Sequence, residues 1–274
     1  MKVEIIAEIG WNHMGNMDLA KKMIDAASIS GADTVKFQYW DPKNLKPGKW
    51  DKDGRREIYN KAFLNDKKID FLRSYVIKKK KNFLISVFGT IGAKAMKKMR
   101  LNSIKIPSHE VANKDLIYYV SKNFKKIYFS TGASTKKEII TANKILSSKK
   151  NIYYNLLHCV SAYPCDISRI NLSRINWLKN FAKNVGFSDH TSSETIPAIA
   201  AGLGVTVIEK HFTVDNKLPG RDNKFAFNPK QFSQMVINIR DAEKSLKDLG
   251  KNYQSIEKDI VKNYRGRWEP EDYK

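Results

Sequence analysis

The sequence predicts an α/β fold, a (β/α)8 TIM barrel, on three observations. Short β-rich runs alternate with helix-period segments from end to end. Eight such units fit into one chain of 274 residues. Each strand run delivers a polar or charged group at its carboxyl end, the end where barrel enzymes build their sites. Alternation implies a parallel sheet without deciding closure, so a doubly wound sheet stays open at this point.

The elements follow in order. Val3–Ile9 reads as the first strand. Met17–Ser30 follows as a helix with Ala20, Met23, Ile24 and Ala27 on one stripe, and Gly31 closes it. Thr34–Gln38 is the second strand. The polar, Trp-containing stretch Tyr39–Asp66 interrupts the rhythm and reads as a long functional loop. A helix over Lys67–Lys79 leads to strand Phe83–Val87, Ala93–Met99 to Ser103–Ile106, Lys114–Lys122 to Ile127–Thr131, and Lys136–Ser147 to Tyr153–His158. Ile170–Phe181 leads to Val185–Ser188, Glu194–Gly202 to Thr206–Lys210, and Pro229–Leu249 is the closing helix. A barrel domain is therefore expected over 1–250, with a C-terminal helix or tail over 251–274. No dinucleotide glycine fingerprint follows the first strand, and there is no P-loop.

Composition narrows the function classes. Hydrophobic residues make up 42%, enough for a full core, and no apolar run approaches a membrane span. The start, MKVEIIAEIG, lacks the apolar region and cleavage site of a signal peptide. Two cysteines exclude a disulfide scaffold and fit a reducing cytosol, so a cytoplasmic protein is expected. Cys159 and Cys165 make no zinc-ligand spacing and read as ordinary thiols. The net charge of +22 is carried mostly by lysine, with runs such as Lys78–Lys81 where helices should end. It reads as a solvated surface. Nucleic-acid binding is not expected, since no recognised module stands out and base readers favour arginine.

The strand ends hold the candidates: Glu8, Lys36, Ser86, Lys105 with Ser108, Ser130 with Thr131, His158, Ser188 with His190, and Lys210 with His211. Lysines inside β-branched runs such as Thr-Val-Lys-Phe-Gln need a partner when buried. Several lysines and hydroxyls converging on one rim suggest a ligand carrying phosphate or carboxylate. His190 and His211 end neighbouring strands, with Glu209 and Asp222 nearby, and imidazole pairs are common ligands of divalent metals. By period two, Glu209 and His211 share one face.

These residues carry a resemblance. Ala7-Glu8-Ile9-Gly10 with Asn12-His13, Val35-Lys36-Phe37-Gln38, Ser130-Thr131-Gly132, His158-Cys159 with Tyr163-Pro164, Gly186-Phe187-Ser188-Asp189-His190-Thr191 and Glu209-Lys210-His211-Phe212-Thr213 resemble the sialic acid synthase (N-acetylneuraminate synthase) family, in order and over nearly the whole chain. The resemblance implies a metal-dependent barrel that condenses phosphoenolpyruvate with an N-acylated amino sugar, giving a nine-carbon 2-keto acid and phosphate. It implies His190 and His211 as ligands of Mn²⁺ or Mg²⁺. Lys36, Ser86, Lys105, Ser108, Ser130, Ser161 and Ser188 fall on positions that hold phosphoenolpyruvate; Ser86 and Ser161 stand where other members often carry Thr and Asn. Glu8, Glu209 and Asp222 fall on acidic positions near the metal and the reacting carbons, and Glu110 and Tyr163 on positions lining the acceptor.

Two departures bear on the acceptor. The chain stops at Arg265–Lys274, about where many members continue into an antifreeze-like domain that covers a partner's site. The expectation is a homodimer, a separate lid protein, or local cover from Tyr39–Asp66, Gly220–Phe227 or the tail around Arg265, Arg267 and Trp268. Where the family often reads Pro-Gly-Pro-Asp-His, this chain reads Pro219-Gly220-Arg221-Asp222-Asn223. Two other readings are a related 2-keto sugar acid synthase with another acceptor, whose Lys-Pro-Arg-Thr-Ser motif is missing here, and a catalytically reduced barrel that binds or scaffolds.

Overall fold

The computed structural model describes residues 2–268. Eight strands, β1 Glu4–Gly10, β2 Thr34–Tyr39, β3 Asn82–Val87, β4 Ser103–Ile106, β5 Lys126–Ser130, β6 Tyr153–Cys159, β7 Val185–Asp189 and β8 Val207–His211, pair in parallel and in chain order into a closed barrel. The closure left open by alternation is settled by the β1–β8 ladder, which runs from Glu4↔Val207 to Glu8↔His211. The helices between strands are α1 Met17–Ile29, α2 Arg55–Lys61, α3 Asp66–Lys78, α4 Gly89–Lys98, α5 Lys114–Asn123, α6 Lys136–Ser147, α7 Arg174–Lys179 and α8 Ile196–Gly202, and α9 Pro229–Ser245 closes the ring.

Period two sorts the strand residues into two populations. One face feeds the shell under the helices: Ile5, Ala7 and Ile9 of β1, Val35 and Phe37 of β2, Phe187 of β7 and Ile208 of β8 join one large core. The other face fills the lumen in layers. At the amino end, Tyr128 and Lys126 hold the Glu4 carboxylate, and Thr34 Oγ1 donates to it at 2.6 Å. Above lies a small apolar plug of Ile6, Leu84, Tyr128, Leu157 and Val207. Gly186 belongs to this layer: a Cβ there would overlap Val207 Cγ1 and stand 2.9 Å from Leu157 Cγ and from the Val207 carbonyl oxygen. The third layer, at the carboxyl ends, is polar and forms the site.

The stretch Tyr39–Asp66 is not a plain loop. It contains two short 3₁₀ turns, Pro42–Asn44 and Lys49–Asp51, and the helix α2. Gly54, with φ +85°, turns the chain into α2. Trp40 Nε1 donates to the Tyr59 carbonyl at 3.1 Å, and Arg56 ties to the Pro42 carbonyl and, at 3.0 Å, to Asp51. These tertiary ties explain a seven-residue helix that has no buried stripe of its own.

The chain divides into two compact units with the boundary between Glu243 and Lys244, a few residues before the expected 250. The second unit carries α10, Lys258–Asn263, and exposes Ile256, Ile260, Tyr264 and Trp268. Residues 269–274 of the expected tail lie outside the described residues. Among the described residues no helix is long and apolar enough to cross a membrane.

Candidate functional site

Four charges meet in the upper lumen. Lys36 Nζ lies 3.0 Å from Glu209 Oε2, 3.3 Å from Glu8 Oε2 and 3.0 Å from Ser86 Oγ. Lys105 Nζ stands 2.7 Å from the same Glu209 oxygen, and Ser188 Oγ donates to Glu209 Oε1 at 3.0 Å. Gln38 Nε2 donates to Glu8 Oε1 at 2.5 Å. All four charged side chains are buried. Burial alone would push both carboxyls up, but their surroundings separate them. At Glu209 the two ammonium groups overcome burial and hold the carboxyl well below its usual range. At Glu8 burial prevails over Lys36 and the carboxyl is raised. Burial also lowers Lys105, against the pull of Glu209. Beyond the 3.3 Å ion pair with Lys36, Glu8 Oε2 has no partner among the described residues.

Hydroxyls line the adjoining wall. Ser130 Oγ is buried without a partner among the described residues. Ser108 Oγ, in the 3₁₀ turn after β4, accepts from the Gly132 backbone N–H at 3.2 Å and donates to Cys159 Sγ at 3.4 Å. Ser161 Oγ lies 3.8 Å from Cys159 Sγ. A Cβ on Gly132 would come 2.5 Å from Ser161 Oγ and 2.9 Å from Ser108 Oγ and Cys159 Sγ, so the absence of a side chain there keeps this hydroxyl-lined corner open.

The two imidazoles follow on β8 and just beyond β7, with ring centroids 5.5 Å apart. His190 Nδ1 bonds the Val160 carbonyl at 2.8 Å, which leaves Nε2 as the lone-pair nitrogen of the neutral ring. Burial, with His190 and Lys36 adding to it, lowers His211 well below its usual range and keeps that ring neutral. His190 moves the other way: burial opposes, and the negative charge of Cys159 in its thiolate form, with the hydrogen bonds to Cys159 and the Val160 carbonyl, outweighs it. His211 Nδ1 is buried without a hydrogen-bond partner among the described residues, 3.5 Å from Asp222 Oδ2. Burial pushes the Asp222 carboxyl up to about 7. Tyr163 packs over His190 at 4.1 Å between centroids. Among the described residues, no group of three or more His, Cys, Asp or Glu side chains stands at metal-holding distance. The two rings, 5.5 Å apart between centroids and with His211 Nδ1 lacking a hydrogen-bond partner among the described residues, are the donor pair that could hold an ion.

The structure thus gathers Glu8, Lys36, Ser86, Lys105, Ser130, Ser188, His190, Glu209 and His211 in one lumen layer, with Ser108, Ser161, Tyr163 and Asp222 around it. Glu110 closes the 3₁₀ turn that begins at Ser108, and its carboxylate accepts from Asn113 Nδ2 at 2.7 Å. Two strand-end residues face the shell instead. His158 Nε2 bonds the Ile170 carbonyl at 2.7 Å and its ring stacks on Phe187. Lys210 pairs with Asp189 at 2.6 Å and sits 4.0 Å over the Phe227 ring. Cys159, read from sequence as an ordinary thiol, takes the lumen position expected of His158. Period two from Leu157 was the signal for it. Gln38 is a further lumen residue the sequence reading passed over.

Asn223, which departs from the family pattern, is fully buried and structural. It accepts from Thr213 Oγ1 at 2.5 Å and donates to the Pro219 carbonyl at 2.7 Å and the Asn12 carbonyl at 3.2 Å. It thereby ties the loop that carries Asp222 to the β1–α1 turn.

Comparison with known proteins agrees with this geometry. The sequence profile of the NeuB family matches residues 23–251. The chain is 35% identical over 276 residues to the N,N'-diacetyllegionaminic acid synthase of Campylobacter jejuni, covering 94% of this chain and 82% of that protein. It is 35% identical over 263 residues to a pseudaminic acid synthase of the same species, covering 90% and 76%. The crystal structure of an N-acetylneuraminic acid synthetase from Leptospira borgpetersenii superposes with a TM-score of 0.88 at 31% identity, covering 98% of this chain and 93% of that one.

Proposed function

The chain belongs to the NeuB family and is an enzyme that forms carbon–carbon bonds, and on that premise we propose that it condenses phosphoenolpyruvate with an N-acylated amino sugar, releasing phosphate and a nine-carbon sialic-acid-like 2-keto acid. The observation that carries this reading is the buried network Glu8–Lys36–Glu209–Lys105 at the carboxyl ends of the strands. Two ammonium groups pre-positioned beside Ser86, Ser188 and Ser130 suit a small polyanion.

Each residue then has work to do. Lys36 and Lys105 hold the anionic groups of phosphoenolpyruvate and neutralise the leaving phosphate. Ser108, Ser161 and the Gly132 corner bind its oxygens. C3 of the enol attacks the aldehyde carbon, water adds at C2, and the adduct expels phosphate. A base must take the proton of that water. Glu209 has both oxygens hydrogen-bonded, whereas Glu8 Oε2 meets only Lys36, at 3.3 Å, and its carboxyl is raised toward the range where it can accept and return a proton. Glu8 is therefore the general base of this proposal and Glu209 the anchor of the lysines. His190 and His211 would hold a divalent metal, Mn²⁺ or Mg²⁺. Such an ion supplies Lewis-acid polarisation of the aldehyde oxygen. Tyr163, half-exposed over His190, bounds the acceptor side.

A phosphate-release assay with phosphoenolpyruvate and a panel of N-acyl hexosamines tests the reading. Acceptor-dependent release is expected. Tight phosphoenolpyruvate binding with silence toward every acceptor would favour a scaffold.

A further inference from the structure

The amino end of the barrel, opposite the charge network, carries a one-sided charge. Between residues 71 and 188 the chain has four acids, Glu110, Asp115, Glu138 and Asp166. All four stand in the loops or first helical turns that follow strands, on the side of the mouth. The turns that lead from helix back to strand hold cations instead. Lys78–Lys81 run on from α3, and Lys97, Lys98 and Arg100 from α4. Lys122, Lys125 and Lys126 follow at the end of α5, and Lys149 and Lys150 after α6. Asp25 pairs with Lys79 at 2.7 Å and Glu4 with Lys126 at 2.8 Å; among the described residues no other carboxylate reaches these twelve cations. Neighbouring turns are tied together. Arg73 Nη1 donates to the Met99 carbonyl at 3.1 Å, Lys97 Nζ to the Asn123 carbonyl at 2.8 Å, and the Tyr153 N–H to the Lys125 carbonyl at 2.8 Å. The cations therefore share one continuous face.

Helix dipoles account for only part of it. That field favours a cation in the last turn and fades beyond it. Lys80 and Arg100 lie past their helix ends, with φ of +58° and +59°. This is the left-handed position where glycine or asparagine is least costly. Both side chains are exposed, so packing does not repay the strain.

Residue type and shape select the polyanion. The face is the end of a barrel, not a projecting helix or ribbon that enters a DNA groove, and lysine replaces the arginine that reads bases. Tyr118 and Tyr153 lie exposed among the lysines, with Lys122 Nζ 4.0 Å from the Tyr118 ring centroid and Lys126 Nζ 5.7 Å from that of Tyr153. Ile77 is exposed beside Lys78. Long lysine stems among amphipathic rings suit the headgroup region of an anionic bilayer.

We propose that this face docks the protein on an anionic lipid surface, with the mouth of the barrel turned to solution. Co-sedimentation with phosphatidylcholine vesicles, with and without about one-third phosphatidylglycerol, measures the partition. The proteins compared are the unmodified chain, Lys80→Gly/Arg100→Gly and, as a control at the mouth end, Lys114→Gln/Lys136→Gln. The unmodified chain should partition at least roughly tenfold more strongly onto the anionic vesicles, and the preference should fade as salt is raised. Lys80→Gly/Arg100→Gly should lose at least roughly tenfold of that partition. Its urea midpoint should not fall, since glycine relieves both left-handed residues. The control should bind as the unmodified chain does. No preference for anionic vesicles, or an unaltered partition in Lys80→Gly/Arg100→Gly, overturns the proposal. Equal loss in the control would show that net charge alone acts, and overturns it too. Tighter binding to a fluorescent DNA duplex than to anionic vesicles at the same salt would assign the face to nucleic acid instead. None of these outcomes touches the synthase reading, because the face shares no residue with the charge network.

Discussion

Lys105 Nζ stands 2.7 Å from Glu209 Oε2, and both side chains are almost wholly removed from water. The same oxygen also receives Lys36 at 3.0 Å, so one carboxylate anchors two cations. Such an arrangement is stable only while its members remain together.

Replacing Lys105 with Met should therefore show in two measurements. Phosphoenolpyruvate binding by calorimetry should weaken at least roughly tenfold, the worth of a charge-assisted bond. Stability by urea unfolding should fall by up to about 3 kcal/mol, since Lys36 still accompanies Glu209. Unchanged affinity would remove Lys105 from the anion site.

The imidazole pair makes a prediction about metal. Chelator-treated protein should lose turnover and regain it on addition of Mn²⁺ or Mg²⁺. His211→Ala should bind Mn²⁺ markedly more weakly by electron paramagnetic resonance, with its far-UV spectrum intact. Full turnover after exhaustive chelation would set the metal aside.

His13 sets a pH dependence away from the lumen. Its Nδ1 accepts from the Gly15 N–H at 3.0 Å, and burial, assisted by Lys68, lowers its pKa to about 4. The unfolded chain takes up that proton near pH 6.5 and the folded chain only near pH 4. The stability this group contributes is thus complete above pH 6.5 and is lost as pH falls toward 4, by about 3 kcal/mol. His13→Asn keeps an acceptor but cannot charge. Urea midpoints at pH 7 and pH 4.5 should lie closer together in that variant. An unaltered gap would place the acid sensitivity elsewhere.

Gly186→Ala tests the plug beneath the site. The added methyl meets Val207 and Leu157 with no room to move. A loss of about 1–3 kcal/mol is expected by denaturant unfolding, and Val207→Ala in the same chain should restore part of it. Additive effects of the two substitutions would contradict the packing.

Much of this was legible in the sequence. Alternation gave eight units, and period two placed Glu209 with His211 in the lumen, where they stand. The misreadings have physical causes. His158 has the polarity of a rim residue but the strand phase of a shell residue; its ring is satisfied by the Ile170 carbonyl, and Cys159 turns inward. α2 escaped because its seven residues bury no stripe and are held by Trp40 and Arg56 ties. The inequality of Glu8 and Glu209 depends on which oxygens lysines reach, which no spacing encodes.

The outward pair Asp189–Lys210 has a consequence for how this chain can change. These residues are direct partners in the β7–β8 ladder, and each is flanked by lumen residues: Ser188 and His190 on one strand, Glu209 and His211 on the other. A one-residue slip of β8 against β7 would turn Glu209 and His211 into the greasy shell and Lys210 into the cavity, leaving Asp189 buried without its partner. The buried ion pair thus acts as a frame marker for the sheet. Insertions in the α8–β8 connection should be tolerated only where they leave that frame intact, whatever their length.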